Sequence, residues 1–258
     1  MGKVIAVANQ KGGVGKTTTA VNIAGFLVLN GKKVLIIDLD PQANATTHLG
    51  LIPDDLNSSA IDFLFSEALP LVNYSALDGL YIIPSSLTLA EAEIKLFSTP
   101  IGREQILQKK LEKIKDNFDF IFIDCPPNLG PLTINALVGA DHLLIPVQTQ
   151  YLPMDGLKTL ISVAKDVSQM YKKERYILGI LPTMYAKREK ACQEILEKMK
   201  SIDFVAEFVF ENIIRRSVSI QEATMEKKPI CIYKANSLGA KDYQKATEEF
   251  IRRCENGK

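Results

Sequence analysis

Residues 9–18 read NQKGGVGKTT, and this stretch decides the fold. Residues 3–8 (KVIAVA), directly before it, form a short apolar run that is typical of a buried parallel strand. Residues 17–30 (TTTAVNIAGFLVLN) carry apolar side chains at the spacing of a helix. Glycines between a strand and a helix let backbone N–H groups close around phosphate oxygens, and the helix N-terminus adds partial positive charge. We therefore predict a phosphate-binding loop in which Lys16 reaches the terminal phosphates and the Thr17 hydroxyl holds Mg²⁺.

The loop departs from the general pattern G-x-x-x-x-G-K-[ST]. Gln10 takes the place of the first glycine, and a second lysine, Lys11, precedes a glycine pair. A lysine is usually a solvated surface residue, but in this loop we interpret Lys11 as a second cation directed at a nucleotide. The run KGGVGKT at residues 11–17 resembles the deviant Walker A box of the ParA/MinD family of ATPases, in which the first lysine contacts the nucleotide of the partner subunit. The resemblance places these residues on the nucleotide: Lys11, Gly12, Gly13, Val14, Gly15, Lys16, Thr17 and Thr18.

The composition limits what the protein can be. With 258 residues, 47% of them hydrophobic, the chain can bury a sizeable core, which excludes wholesale disorder. The net charge is +1, so any contact with DNA must come from a local patch rather than from a long-range field. The four cysteines are scattered, as in reduced cytosolic thiols. We find no signal peptide and no apolar run near the ~20 residues that span a bilayer, so we expect a cytoplasmic protein without a stable membrane anchor.

Strand-like and helix-like segments alternate along the chain. Besides the first strand, apolar runs predict strands at 34–38, 80–83, 118–124, 142–147 and 177–181, with a weaker one at 204–210. Besides the first helix, amphipathic spacing predicts helices at 104–115, 154–171, 190–200 and 241–253, and residues 50–78 form an insertion of loops and short helices. Such alternation is typical of parallel strands with helices on both faces. We predict one doubly wound α/β domain over residues 1–258, with a mainly parallel sheet of about seven strands.

Two carboxylates end the second predicted strand. Residues 34–45 read VLIIDLDPQANA, which places Asp38 and Asp40 at the carboxyl edge of the sheet, where this fold binds ligands. If the strand continues, alternation puts both side chains on the same side. The segment is similar to the family's switch I region, DxDPQxN. The resemblance implies that Asp40 positions the attacking water, and is catalytic together with Lys11 and Lys16, while Asp38 is an outer partner of Mg²⁺.

Another carboxylate follows a longer apolar run. Residues 118–130 read FDFIFIDCPPNLG, in which Asp124 has the position of a Walker B carboxylate near Mg²⁺. The segment resembles the family's switch II, DCPPSLG, with Asn128 in place of serine. We interpret Cys125 as a packing residue. The predicted metal partners are therefore Thr17, Asp38 and Asp124, and we place the adenine pocket near Pro182 and Met184.

Two basic segments remain, at 183–190 (TMYAKREK) and 211–222 (ENIIRRSVSIQE). A charge run can be an ordinary solvated face. In chromosomal ParA proteins, however, arginines at similar places form a DNA-binding surface that spans the dimer without reading sequence. The chain has Ser219 where a further arginine of that surface is expected. The predicted DNA contacts are Lys187, Arg188, Arg215 and Arg216.

The likeness extends over residues 3–250 and includes a closing pattern of Glu222, Ala223, Lys228, Pro229 and Ile230. It is closest to the short, Soj-like type. It implies an ATPase of weak intrinsic activity that dimerises with ATP and Mg²⁺, binds nucleoid DNA without sequence preference, and is stimulated by a ParB-like protein.

Three alternatives stay open. A MinD-like membrane-recruited ATPase needs a strongly amphipathic C-terminus, whereas residues 248–258 (EEFIRRCENGK) carry few apolar side chains. An ATPase like the nitrogenase iron protein needs cysteines placed to share a cluster, and no such pair flanks the switch II segment. An ATP-dependent enzyme that acts on a small molecule would need a substrate motif, and none is recognisable.

Overall fold

The computed structural model describes residues 2–150, 154–174 and 176–255, and within them the chain forms a seven-stranded sheet. The strands are β1 (Lys3–Val7), β2 (Val34–Asp38), β3 (Val72–Asn73), β4 (Leu80–Ile83), β5 (Phe120–Asp124), β6 (His142–Gln148) and β7 (Ile177–Thr183). Their order across the sheet is β3-β4-β2-β5-β1-β6-β7. Strand β3 runs antiparallel to β4, and the other neighbouring strands are parallel. The predicted mainly parallel sheet is confirmed.

Helices cover both faces of this sheet. They are α1 (Lys16–Leu29), α2 (Asn44–His48), α3 (Ala60–Phe65), α4 (Ala90–Ser98), α5 (Ile106–Ile114), α6 (Pro131–Gly139), α7 (Met154–Met170), α8 (Lys190–Ser201), α9 (Asp203–Ala206), α10 (Val218–Met225), α11 (Ile230–Tyr233) and α12 (Leu238–Glu255). One buried apolar cluster joins the sheet to α3 through α9, and another joins it to α1, α2 and α10 through α12. Within β2, Leu35 and Ile37 belong to the first cluster and Val34 and Ile36 to the second. Both faces are buried, which explains why the strands read as continuous apolar runs.

The predicted strand at 204–210 is wrong. Its first part is helix α9, and the part that reaches the sheet is a single bridge from Val209 to Ile180. Phe210 donates a backbone hydrogen bond to the Ile180 carbonyl at 2.9 Å, so the segment follows β7 without becoming a strand. A short apolar run is compatible with strand and helix alike, and packing decided between them. The seventh strand is instead the two-residue β3, inside the insertion predicted for residues 50–78.

Helix α1, which follows the phosphate loop, is held closely by α11. A Cβ atom at Gly25 would lie 2.8 Å from the Cys231 Sγ, so only glycine allows the two helices to approach this far. The Ile230 backbone N–H donates to the Asn22 Oδ1 at 2.6 Å. The closing pattern noted in the sequence therefore seats the last part of the chain against α1.

The remaining expectations from composition concern thiols and membranes. All four cysteines are buried and none forms a disulfide; they are Cys125, Cys192, Cys231 and Cys254. Burial raises the pKa of the Cys125 thiol well above its usual value, as expected of a packing residue. In the described part of the chain, no helix has the length and apolar character that a bilayer crossing requires. The last three residues of the C-terminal segment, 256–258, lie outside the described residues.

Candidate functional site

An open cleft of about 430 Å³ lies where the phosphate loop meets the segment after β2. Gly13 and Gly15 have φ angles of 71° and 89°, a left-handed conformation that glycine adopts without strain. Val14 between them is buried. The predicted residues that line the cleft are Gly12, Gly13, Gly15, Lys16, Thr17, Thr18, Asp40 and Met184. The structure thus brings most of the predicted nucleotide residues to one place.

The loop is braced from the neighbouring strands. The Asn9 side chain donates to the Pro146 carbonyl at 2.8 Å and accepts from the Lys11 backbone N–H at 3.0 Å. The Thr183 hydroxyl donates to the Val14 carbonyl at 2.8 Å. These contacts shape the loop before any ligand binds, so less conformational entropy is lost on binding. Asn9 and Thr183 were missed by sequence reasoning, because their partners are distant in the chain.

The Lys16 ammonium is folded onto the loop. It donates to the Lys11 carbonyl at 3.3 Å, and the residue is buried. Burial lowers the pKa of Lys16, while the negative charges of Asp124 and Asp40 act in the opposite direction. A phosphate oxygen would be a stronger partner than the neutral carbonyl, so this ammonium is placed to bind one.

Asp38 holds the switch I segment. Its carboxylate accepts the Asp40 backbone N–H at 3.2 Å, the Thr46 backbone N–H at 2.9 Å and the Thr46 hydroxyl at 2.7 Å. Complete burial nevertheless raises the pKa of Asp38 to about 6. Since β2 ends at Asp38, the alternation that would place Asp40 on the same side does not apply. The predicted outer role of Asp38 near Mg²⁺ stays a prediction.

Asp124 is the unusual carboxylate of the site. It is the register partner of Asp38 on the adjacent strand, and both of its oxygens are buried without a hydrogen bond. Burial, and next the charge of Asp38, raise the pKa of Asp124 well above its usual value. The Thr17 hydroxyl and Lys16 lie near enough to favour the charged form, but neither makes a hydrogen bond of ordinary geometry to it. This carboxyl therefore lacks the hydrogen-bond or metal partner that would stabilise its charged form.

A divalent ion of the Mg²⁺ type fits these residues. Mg²⁺ is usually held by one or two carboxylates or hydroxyls and completes its shell with water and substrate phosphates. Asp124 and Thr17 offer such a set beside the loop. Within the described residues, no three His, Cys, Asp or Glu side chains are arranged to hold a metal by themselves.

Asp40 borders the cleft across from the loop. Its Oδ1 accepts the Gln42 backbone N–H at 2.9 Å, which fixes the carboxylate, and the residue is almost fully buried. Its carbonyl accepts the Ser85 hydroxyl at 2.8 Å, so the end of β2 is tied to the end of β4. A fixed carboxylate that faces the phosphate loop is suited to orienting a water molecule.

A second pocket of about 210 Å³ adjoins the cleft and shares Gly15, Thr18, Met184 and Thr224 with it. Of the two residues predicted for the adenine pocket, Met184 lines this second pocket. Pro182 does not line it, because it is buried inside β7, where it pairs with Val147. Sequence reasoning missed the opposite wall, which is built by Ser217, Ile220, Gln221 and Thr224. Their spacing of three and four residues is one face of a helix, a signal that was present in the sequence.

The predicted DNA residues lie around one shallow groove. Tyr185 donates its backbone N–H to the Ile214 carbonyl at 3.0 Å, and Arg216 donates its own to the Tyr185 carbonyl at 2.9 Å, so the two basic segments run side by side. The groove has a volume of about 480 Å³ and is lined by both segments, including Lys187, Arg188, Arg215 and Arg216.

The four cations are not equivalent. The Arg215 guanidinium makes a bidentate ion pair with the Asp242 carboxylate on α12, with N–O distances of 2.5 and 2.8 Å, and this contact raises the pKa of Arg215. Lys187 and Arg188 are exposed. Arg216 is largely exposed and approaches the Glu189 carboxylate at 3.5 Å. Arg215 is thus tied into the protein, and the other three face outward.

Lys11 lies apart from the cleft of its own subunit. Its ammonium donates to the Gln148 Oε1 at 3.4 Å, at the end of β6. The ammonium is thus held at the end of β6, and the predicted role of Lys11 on the partner's nucleotide stays a prediction.

Comparison with known proteins agrees with this geometry. Residues 2–177 match the family model described as an AAA domain. The sporulation initiation inhibitor protein Soj of Bacillus subtilis (strain 168) is 41% identical over 96% of this chain and 98% of its own. The chromosome-partitioning ATPase Soj of Treponema pallidum (strain Nichols) is 38% identical over 98% of both chains. A crystal structure of cobyrinic acid a,c-diamide synthase from Mycobacterium smegmatis with a bound ATP analogue and magnesium has a TM-score of 0.85 and 33% identity, covering 100% of this chain and 98% of that one.

Proposed function

Since this chain belongs to the ParA/MinD family of P-loop ATPases and is of the Soj-like type, we propose that it is an ATP-dependent partitioning protein whose single ATPase domain spans residues 1–258. The observation that carries the proposal is the orphaned carboxylate of Asp124 beside Lys16 and the phosphate loop. A buried charge of this kind is costly unless a cation and phosphates complete the site.

ATP binds in the cleft, with its phosphates on the loop amides and Lys16 and its base in the pocket beside Met184. Thr17 and Asp124 hold Mg²⁺, and Asp38 supports them from behind. When bound, Mg²⁺ neutralises phosphate charge and orients the triphosphate. A crystal structure of the Mycobacterium smegmatis protein likewise contains an ATP analogue and magnesium.

Hydrolysis depends on Asp40. Its fixed carboxylate orients a water for in-line attack on the terminal phosphate, while Lys16 stabilises the charge that develops there. We expect weak intrinsic turnover that a ParB-like protein stimulates.

Dimerisation depends on Lys11. Its contact with Gln148 is 3.4 Å long, and a phosphate oxygen of the partner subunit's nucleotide would be a stronger acceptor for the ammonium. ATP bound at the interface then holds two subunits together through charges from both.

DNA binding follows from dimerisation. The protein is nearly neutral, so only the local groove attracts phosphate, chiefly through Lys187, Arg188 and Arg216. Pairing two grooves doubles the number of phosphate contacts, and each contact adds roughly one unit to the salt slope of binding. The cytoplasmic protein would then be held on the nucleoid while it carries ATP.

The test has two parts. Lys16→Gln should lose ATP binding in calorimetry, since a neutral amide does not balance phosphate charge. In proteins that keep Lys16, Arg188→Ala and Arg216→Ala should weaken binding to DNA of any sequence, while dimerisation with ATP persists. Arg252→Ala, an exposed arginine of α12 outside the groove, is the control and should bind DNA normally. Unchanged ATP affinity in Lys16→Gln would refute the nucleotide site.

One observation supports a second candidate, an ATP-dependent amidation of a small carboxylic acid. It is the structural likeness to cobyrinic acid a,c-diamide synthase at 33% identity. The two functions separate in one assay: ATP turnover that rises with DNA and a ParB-like protein supports partitioning. Turnover that rises only with a corrinoid carboxylate and an amide donor supports the synthase.

A further inference from the structure

One acidic side chain lies among the cations of the basic groove. Glu189 directly follows Lys187 and Arg188, and its Oε1 lies 3.5 Å from the Arg216 guanidinium. Both side chains are open to solvent, with 44% of Glu189 and 61% of Arg216 exposed. Glu189 is the N-cap residue of α8, but its side chain makes no capping hydrogen bond. Its Oε1 faces Arg216, while its Oε2 accepts from the Cys192 thiol of α8 at 3.5 Å.

A directed chain of hydrogen bonds links the same carboxylate to the phosphate loop. The Glu189 Oε2 accepts from the Gln150 amide at 3.3 Å, the Gln150 Oε1 accepts from the Gln148 amide at 2.6 Å, and the Gln148 Oε1 accepts from Lys11. Each glutamine uses its oxygen toward the lysine and its nitrogen toward the glutamate. A cation at one end and an anion at the other thus fix both amide orientations and polarise the bonds between them.

We infer that Glu189 is an anionic gate on the DNA groove, which holds Arg216 away from phosphate until Lys11 leaves Gln148 for a nucleotide. The inference rests on the proposed function, since it assumes that the groove binds DNA and that Lys11 moves on dimerisation. Once Lys11 departs, the Gln148 oxygen loses its donor, and only the Glu189 end still orients the two amides. Without the charge of Lys11 the chain is less polarised, Gln150 and the Cys192 thiol hold the Glu189 carboxylate more weakly, and Arg216 exchanges it for a DNA phosphate.

The size of the effect follows from the exposure of the pair. Ion pairs between exposed side chains change an equilibrium by about 1.5- to 5-fold. An arginine released to a phosphate steepens the salt dependence of binding by about 0.9 units. The gate therefore adjusts DNA affinity rather than switching it fully on or off. A dimer contains two such gates, so the effect on its DNA affinity applies twice.

The experiment compares wild type with Glu189→Gln, which removes the charge but keeps the shape. Binding to a fluorescein-labelled duplex of mixed sequence is followed by anisotropy over a range of salt, once with ADP and once with a non-hydrolysable ATP analogue. With ADP, the variant should bind about 1.5- to 5-fold more tightly per protomer and with a steeper salt slope. With the ATP analogue, the gain should be much smaller, because the gate is already open.

Two further variants make the result specific. Glu194→Gln removes the same charge from α8 at a residue that pairs with Lys190 at 3.5 Å outside the groove, and it should leave DNA binding unchanged. If Arg216→Ala weakens DNA binding but Glu189→Gln does not strengthen it, the gate is refuted, while the proposal that the groove binds DNA is supported. If neither variant changes binding, the groove itself is wrong and the proposed DNA-binding function fails. An equal gain with both nucleotides overturns the link to Lys11.

Discussion

Replacing Asp124 by asparagine should make the nucleotide-free protein more stable while it destroys the magnesium site. The carboxylate is fully buried, both oxygens lack a hydrogen bond, and Asp38 lies beside it in register. Asparagine has nearly the same shape and removes the charge. A residue retained for function at a cost in stability is common at active sites.

The expected gain is about 2 kcal/mol. A buried polar group without a partner costs about 1–3 kcal/mol, more if charged, and the asparagine amide would itself bear part of that cost. Asp38 provides a check on the scale, since raising its pKa from 3.8 to about 6 corresponds to about 3 kcal/mol in favour of its neutral form. For a protein of this size, 2 kcal/mol raises the melting temperature by about 4–8 °C.

The gain should depend on pH in a defined direction. A carboxyl whose pKa is raised by folding binds its proton more tightly in the folded state, so its cost to stability appears as the pH rises and is complete above the folded pKa. For Asp38 that window runs from 3.8 to about 6. The pKa of Asp124 is raised for the same reason. The stability difference between Asp124→Asn and wild type should therefore grow as the pH rises through the raised pKa of Asp124 and shrink as the pH falls toward the ordinary carboxyl range.

Asp38→Asn is the matched comparison, since it changes the neighbouring carboxylate in the same way. Its oxygens accept three hydrogen bonds, and an amide nitrogen would face the donors of Thr46, so we expect a loss of about 1–3 kcal/mol. The assay is thermal and urea unfolding without nucleotide, repeated with Mg²⁺ and ATP, where Asp124→Asn should gain less than wild type. A nucleotide-free Asp124→Asn that is less stable than wild type above the raised pKa of Asp124 would refute the reasoning.

Three other variants test separate parts of the structure. Lys11→Ala should still bind nucleotide as a monomer but dimerise poorly and hydrolyse little ATP. Wild-type ATP turnover in this variant would show that Lys11 is an ordinary surface residue. Asp40→Ala should bind ATP and accumulate as a stable dimer in size-exclusion chromatography, with turnover reduced at least about 100-fold; a mutant that stays monomeric at saturating ATP would show that Asp40 is structural. Gly25→Ala should lose about 1–3 kcal/mol in urea unfolding because its Cβ would crowd the Cys231 sulfur at 2.8 Å, and unchanged stability would mean that α11 shifts freely.

The local sequence pattern determined the phosphate loop and most of the sheet. The strand, glycines, Lys16 and helix that build the loop are adjacent in the chain, so backbone geometry and residue spacing within a few turns decide their arrangement. The same holds for β2 and β5, whose apolar runs end in Asp38 and Asp124. Parallel order then brings both carboxylates to one edge of the sheet.

Other features depended on contacts that no local pattern contains. Residues 204–210 fit a strand or a helix equally well, and the outcome was decided by how the segment packs against β7. Arg215 and Arg216 are neighbours in the chain, yet the first is tied to Asp242 and the second faces Glu189. Periodicity shows which face of a segment is buried, but which charges meet is settled only when distant segments take their places around the sheet.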